Sequence, residues 1–449
     1  MRRVMRFNSR ELSPPQGSEI AKRSINLSRR SLLRLLGVGS GTIALGHLLP
    51  AQAGFARQAA PHLPDFSGPA ANPYWNSVGP IVSYPQKVPL VLLTDRPVQL
   101  ETPRNFFLTS FTPNDAFYVR WHLDEIPTEV NLEQWRLRIE GNVEHPLSLS
   151  LSDLLTRFTS ASLPAVNQCS GNSRSRFQSR VPGGQWGNGA MGNAMWTGVK
   201  LSDLLQAAGV KPGSVQVQFV ALDRGKGPQG MASHEFLKSL DLSNPVIEES
   251  LVAFAMNGEQ LPMLNGFPAR LVVPGYFATY WVKSLSAIRV LAKPDENFWM
   301  KTAYRIPDTP RGNTTPDDVK AGQVKTIPIH RMPVRSFLIA PDGTGKIPAQ
   351  MPVTVRGIAF SGYGRIVKVE VSDDNAKSWR DAKLGENYGP YSFCTWESPW
   401  VPKNAGRYQW AVRATDEKGN VQPDEAVWNP RGYVWNKIER QEIVVGIAK

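Results

Sequence analysis

The apolar positions of this chain recur mostly as short alternating runs separated by Gly, Pro, Asn and Asp. Residues 117–122 are β-prone and end in polar side chains, and strict alternation sets Arg120 and His122 on one face. Residues 135–140 alternate as a half-buried strand, and residues 147–152 lead into a short helix capped at Ser152. The string Leu-Ser-Asp-Leu-Leu at 151–155 returns at 201–205 after another apolar approach, which predicts a repeated local strand, cap and helix and no solenoid. Further strands are predicted at 215–220, 251–256 and 281–291, and Asn257-Gly258 is the strongest hairpin signal in the chain.

The same pattern divides the chain. Residues 54–100 are rich in Pro, Ser and Ala without sustained periodicity and read as an extended arm. A Pro-dotted polar stretch at 307–329 marks a boundary. Beyond it, alternating runs at 334–339, 353–360, 366–371, 391–396, 408–414 and 442–445 predict an immunoglobulin-like sandwich. Composition is ordinary for a globular protein, at 41% hydrophobic and 20% charged residues, and the length allows two to four domains.

The formal charge of +13 resembles a nucleic-acid signature, but residues 1–53 carry nine Lys/Arg against Glu11 and Glu19, and without them the excess is +6. With no basic tract and no aromatic stripe in the remainder, nucleic acid is not expected as a partner. The N-terminal stretch itself reads as a twin-arginine export signal: Arg29-Arg30, an apolar run at 35–49, then Ala51-Gln52-Ala53 as a small-residue cleavage site. Its apolar run is too short and glycine-rich for a stable membrane span, so an exported, periplasmic protein is expected.

Candidate chemistry centres on Cys169, one of only two cysteines, at the end of an apolar run and in a Gly/Asn/Ser turn with Arg174 five residues on. A thiol among cations is placed to ionise and act as a soft ligand. A buried free thiol, or a disulfide with Cys394, is the competing reading. Arg120 and His122 form either an anion site or a core histidine beside a surface charge. The Gly-rich run at 181–196 fits neither a phosphate loop nor a dinucleotide fingerprint; its glycines admit a close approach, with Trp186 and Trp196 as stiff walls.

As a set, Cys169-Ser170-Gly171-Asn172-Ser173-Arg174, Tyr118-Val119-Arg120-Trp121-His122, Asn265-Gly266-Phe267-Pro268-Ala269-Arg270, Trp281-Val282-Lys283, Tyr304 and Asn429-Pro430-Arg431-Gly432 resemble the sulfite oxidase family of molybdenum enzymes. The export signal looks most like its bacterial periplasmic sulfite dehydrogenases. The resemblance implies an α+β fold, with a mixed sulfite-oxidase-type molybdopterin domain followed by an immunoglobulin-like β-sandwich for dimerisation. The divisions are then an export signal at 1–53, the arm at 54–100, the molybdopterin-binding oxidoreductase domain at 101–320 and the dimerisation domain at 321–449.

In such an enzyme Cys169 would be the thiolate ligand of molybdenum, beside the dithiolene of one pterin, with one cofactor per chain. Arg120, Arg174 and Arg431 match the family's substrate arginines, Tyr304 its active-site tyrosine, and Trp186 a pocket wall in some members. His122, Asp223, Asn265, Arg270, Trp281, Val282 and Lys283 match positions that hold the pterin and its phosphate. The implied reaction is oxidation of sulfite to sulfate. With no Cys-x-x-Cys-His, no haem is expected in this chain, and electrons would leave singly to an external acceptor, a c-type cytochrome. A homodimer or a complex with a cytochrome subunit is expected. Two other readings stand beside this one: an exported molybdopterin reductase of a sulfoxide-type substrate, and a cofactor-free secreted binding module with Cys169 bonded to Cys394.

Overall fold

The structure, a computed structural model, describes residues 81–226 and 233–447. The export signal and residues 54–80 of the arm lie outside the described residues. The end of the arm is not irregular: Leu90–Asp95 and Val98–Glu101 form a hairpin, joined by Ile81–Val82 and Val119–Arg120 in a four-stranded sheet. Leu90, Val98, Leu100, Val119 and Trp121 give this sheet a core of its own. Pro97 and a register shift between Leu92 and Thr94 interrupt the alternation, which hides the hairpin from a periodicity reading.

Two five-stranded sheets carry the rest of the N-terminal half. One runs in the order Ser233–Asp241, Gln216–Lys226, Leu285–Leu291, Leu137–Gly141, Leu147–Leu149, antiparallel except where Leu285–Leu291 meets Leu137–Gly141. The other orders Glu259–Gln260, Leu251–Met256, Met191–Lys200 and Ser160–Gln168, with Arg270–Val272 also paired to Leu251–Met256. Its Asn257-Gly258 turn has both residues at positive φ, as that hairpin type requires. The helices of the described residues are short. The longest, Leu201–Ala208, has eight residues, so the α+β expectation gives way to a sheet-rich fold with few helices.

The two Leu-Ser-Asp-Leu-Leu strings do open helices after strands, at Leu151–Thr156 and Leu201–Ala208. The first cap is Ser150 and not Ser152: Ser150 Oγ accepts from the Asp153 N–H, and the Asp153 carboxylate accepts from the Ser150 N–H. The second helix follows Lys200 and has no side-chain cap.

The C-terminal half is two sheets on one core. Arg335–Ala340, Val353–Phe360, Cys394–Trp400 and Lys383–Leu384 form one; Lys346–Pro348, Glu439–Gly446, Gly406–Asp416, Ile366–Ser372 and Arg380–Asp381 form the other. Alternate residues Trp410, Val412 and Ala414 meet Ile443, Val445, Val355, Ala359, Cys394 and Trp396 between the layers. Both cysteines are free, which removes the Cys169–Cys394 disulfide, and Cys394 is a packing residue of this core. No helix of the described residues is long and apolar enough to cross a membrane.

A buried ion cluster ties the two halves together. Glu439, 7% exposed, accepts from Arg104 Nη2 at 3.2 Å, Arg176 Nη2 at 3.3 Å and Asn188 Nδ2 at 2.9 Å. Arg335 donates to Ser173 Oγ at 2.6 Å, and Ser173 donates to Asn188 Oδ1 at 2.6 Å, so the network reaches the turn after Cys169. Burial alone would raise the Glu439 pKa; the charges of Arg176, Arg104 and Arg335 outweigh it and hold the carboxylate below its ordinary range. Glu439→Gln is expected to cost about 3 kcal/mol, because buried guanidinium groups lose their counter-charge. With the folded pKa below the unfolded one, this stabilisation is complete above the usual glutamate range and is lost as pH falls through the depressed value. Denaturant unfolding midpoints will therefore separate wild type and variant at about pH 7 and bring them together as pH falls through the depressed Glu439 value.

Candidate functional site

Cys169 follows directly on Ser160–Gln168, which pairs with Met191–Lys200 over its whole length and so carries the cysteine to the end of a rigid ladder. The chain then turns sharply. Asn172 N–H donates to Cys169 O at 2.9 Å, Arg174 N–H to Gly171 O at 3.0 Å, and Ser173 adopts φ 65°. Cys169 N–H donates to Ala190 O at 2.9 Å, and Asn172 Oδ1 accepts from Ala190 N–H at 3.0 Å, pinning the turn to the Gly-rich run.

Cys169 opens on a cleft lined also by Tyr118, Arg120, His122, Asn167, Ser170, Leu264, Asn265, Arg270, Ala278, Thr279, Lys283 and Tyr304. The lining includes Arg120, Arg270 and Lys283 but no carboxylate. Each cation is held by backbone carbonyls: Arg120 Nη1 donates to Trp121 O at 2.7 Å, Lys283 Nζ to Arg120 O at 2.7 Å, and Arg270 Nη1 to Asn265 O at 2.8 Å. Arg270 also stands 4.9 Å from the Trp196 ring centre, and Lys283 4.4 Å from that of Trp121. Burial pulls the Arg270 pKa down to about 10, which still leaves it charged at neutral pH.

Asp223 is buried just behind this lining and opposes Lys283 electrostatically. Burial pushes the Asp223 carboxyl up and the Lys283 ammonium down, and their attraction works against both shifts. His122 stacks on Phe236 at 3.7 Å. Burial, then the charges of Arg120, Lys283 and Lys238, hold its pKa well below 6.5, so it presents a neutral imidazole. Tyr304 has φ 52° and is 6% exposed; burial raises its pKa, and its hydroxyl stays protonated.

Four buried donors around the cleft have no hydrogen-bond partner among the described residues: Asn167 Nδ2, Ser170 Oγ, Thr279 Oγ1 and Arg270 Nε. Such groups are costly unless a ligand satisfies them, and beside the cations of the lining they fit an anionic group rich in acceptors. Asn265 is already engaged. Its Oδ1 accepts from Lys87 Nζ at 2.5 Å and its Nδ2 donates to Tyr118 O at 3.0 Å. Lys87 also donates to Asn114 O and Phe117 O, and burial lowers its pKa to about 7 against the attraction of Asp115.

Of the expected site residues, the structure brings Cys169, Arg120, His122, Asn265, Arg270, Lys283 and Tyr304 into one lining. Trp281 and Val282 lie beneath it, where Trp281 O accepts from Arg270 Nη2 at 3.3 Å and Val282 O accepts from the Leu271 N–H. Trp186 is 1% exposed and stands edge-on to Tyr118 at 6.5 Å, outside the lining. Arg174 is beside the cleft and 8% exposed, with Nε donating to Gly432 O and Nη1 to Gly184 O, both at 3.1 Å. A Cβ on Gly171 would stand within 3 Å of its side chain, and one on Gly432, at φ 59°, would clash first with Val181 and then with Arg174. Arg431 is exposed.

Residues that sequence reasoning passed over include Tyr118, Asn167, Thr279, Lys87 and Lys238. Tyr118 was within reach of the same alternation that paired Arg120 with His122, and its hydroxyl donates to Asn167 Oδ1 at 2.6 Å. Lys238 is fully buried, donates to Trp299 O at 2.7 Å and lies 5.5 Å from the Tyr304 ring centre; nothing in its local sequence marks it.

Comparison with known proteins agrees with this geometry. Residues 122–299 match the oxidoreductase molybdopterin binding domain, and residues 326–445 match the Mo-co oxidoreductase dimerisation domain. Sulfite oxidase of Gallus gallus is 35% identical over 360 residues, covering 76% of this chain and 75% of that protein. Mitochondrial sulfite oxidase of Drosophila melanogaster is 33% identical over 371 residues, covering 78% of this chain, which spans 62% of the fly protein. Among solved structures, the sulfane dehydrogenase SoxCD from Paracoccus pantotrophus superposes with a TM-score of 0.66 at 27% identity, over 79% of this chain and 88% of that one. A free cysteine at the end of a rigid ladder, cations with no carboxylate in the lining, and domain and whole-chain matches in the same order make this chain a member of the sulfite oxidase family of molybdenum oxidoreductases.

Proposed function

We propose that this protein oxidises sulfite to sulfate at a molybdenum–pterin cofactor in the periplasm and passes the electrons singly to an external c-type cytochrome. The observation that carries the reading is the cleft itself, where Cys169, three cations with no carboxylate among the lining residues and four unpartnered buried donors share one lining. When bound, the cofactor supplies the oxygen transfer and the storage of electrons. Cys169 offers a soft thiolate to its metal. Arg270 Nε, Thr279 Oγ1, Ser170 Oγ and Asn167 Nδ2 would satisfy its acceptors, with Lys283 and neutral His122 beside them. Asn265, with both amide ends engaged, would shape the site through Arg270 and Tyr118 more than by direct contact.

Sulfite is a small dianion at neutral pH, and guanidinium forks suit its several oxygens better than point charges do. Arg120, Arg174 and Arg431 draw the anion in, and burial grades their value. Arg120 and Arg174 sit where water screens little, while Arg431 is exposed. The protonated Tyr304 hydroxyl can donate to a reacting oxygen. The two C-terminal sheets suit an immunoglobulin-like sandwich, and the dimerisation-domain match supports a homodimer. The twin-arginine pattern supports export of the folded, loaded protein.

Molybdenum analysis of the purified protein, with sulfite-dependent reduction of cytochrome c, tests this reading. Metal together with sulfite turnover is expected; metal with reduction of a sulfoxide, and no sulfite turnover, would replace it with the reductase reading. Cys169→Ala is expected to lower sulfite turnover by about 100-fold or more, with a thermal midpoint near that of wild type. Arg120→Met is expected to raise the sulfite KM by roughly 30- to 1000-fold, and Arg431→Met by about tenfold, because a screened charge contributes less. Steady-state kinetics at fixed ionic strength check the order.

A further inference from the structure

The C-terminal half sends one short segment, residues 429–434, against the Cys169 turn. Asn429, fully buried, clamps Tyr433 by its backbone: Tyr433 N–H donates to Asn429 Oδ1 at 3.1 Å, and Asn429 Nδ2 donates to Tyr433 O at 2.9 Å. Gly432 N–H closes the turn on Asn429 O at 3.1 Å, with Gly432 at φ 59°. Val434 then donates its N–H to Ser170 O at 2.9 Å while holding φ 61°. A β-branched residue in the left-handed region persists only where its surroundings over-determine it.

The clamp fixes the Tyr433 ring against two groups of the site. Its plane lies 19° from that of Tyr304 at 5.5 Å between centroids, and the Arg174 guanidinium carbon is 5.3 Å from its centroid. Arg174 needs such a support. Two of its nitrogens are engaged by Gly432 O and Gly184 O, and Gly171, Gly183 and Gly432, which crowd its side chain, have none of their own to steer the fork. The Tyr433 hydroxyl also lies within electrostatic reach of Arg174, Arg120 and Arg431 together.

We propose that Tyr433 is a positioning residue of the oxyanion pocket, whose ring holds the Arg174 guanidinium and the Tyr304 ring in fixed relation and thereby sets affinity for a tetrahedral or pyramidal sulfur oxyanion. The identity of the anion rests on the sulfite reading above; the positioning role rests on the ring contacts. It makes the anion site dependent on both halves of the chain, because Tyr433 belongs to the segment matched by the dimerisation domain while Arg174 and Tyr304 belong to the N-terminal half.

The test uses molybdenum-loaded full-length protein and inorganic sulfate as a non-reacting probe, with affinity read by calorimetry, beside steady-state sulfite kinetics. Tyr433→Leu keeps an apolar side chain but removes the aromatic face. It is expected to weaken sulfate binding and raise the sulfite KM in parallel, by roughly 10- to 30-fold, the size of a desolvated cation–aromatic contact. Tyr433→Phe keeps the face and should restore both to within about threefold of wild type. Wild-type sulfate affinity in Tyr433→Leu overturns the proposal, as does a Tyr433→Phe protein as weak as Tyr433→Leu. If Tyr433→Leu does not fold, Tyr433→Phe alone decides, and a loss beyond about tenfold overturns it. A wild-type protein that binds sulfate in a Tyr433-dependent way yet does not oxidise sulfite would sink the functional reading and leave this one standing.

Discussion

Positive charge gathered in a poorly solvated cleft with no carboxylate in its lining is the constraint around which this protein is built. Arg120, Arg270 and Lys283 repel one another there, and the repulsion grows as the local dielectric falls. The chain tolerates them by aiming backbone carbonyls of Trp121, Arg120, Asn265 and Trp281 at the cations and by laying Arg270 and Lys283 over tryptophan rings. These dipoles moderate the charge without neutralising it. Buried Asp223 offsets part of this charge through Lys283, and the unpartnered donors beside Cys169 mark where the acceptors of an anionic ligand would fit.

The cleft depends on the C-terminal half as much as on its own sheets. Glu439 collects Arg104, Arg176 and, through Ser173 and Asn188, Arg335 behind the Cys169 turn, while residues 429–434 press on its front. Ser173, in the left-handed region and fully buried, takes part in the rear network and in the turn that aims Arg174. A change in the packing of the two halves therefore reaches the site within a few bonds. That ties the geometry of the Cys169 turn to the packing of the two halves.

Much of this was legible from spacing alone. Alternation at 117–122 put Arg120 and His122 on one face, and both line the cleft, although only Val119–Arg120 is regular strand. The short apolar approach to Cys169 proved to be a nine-residue strand, and the Asn257-Gly258 hairpin stands where the turn chemistry put it. What stayed hidden depends on long-range contact. Lys87, in a Pro-rich stretch without periodicity, crosses 178 residues to reach Asn265 and engages an amide expected to face the cofactor. Trp186 reads as a pocket wall in sequence, yet packing places it behind Tyr118. Tyr433 carries no local signal, since its importance comes from the Asn429 clamp and from rings contributed by the other half.

The central claim is a bond between the Cys169 sulfur and a molybdenum centre within this cationic cleft. X-ray absorption at the molybdenum edge of the purified, active protein measures it directly. Wild type should show one more sulfur neighbour than Cys169→Ser, with the remaining sulfur ligands unchanged. Identical spectra from the two proteins, or an active wild type without molybdenum, would contradict the account.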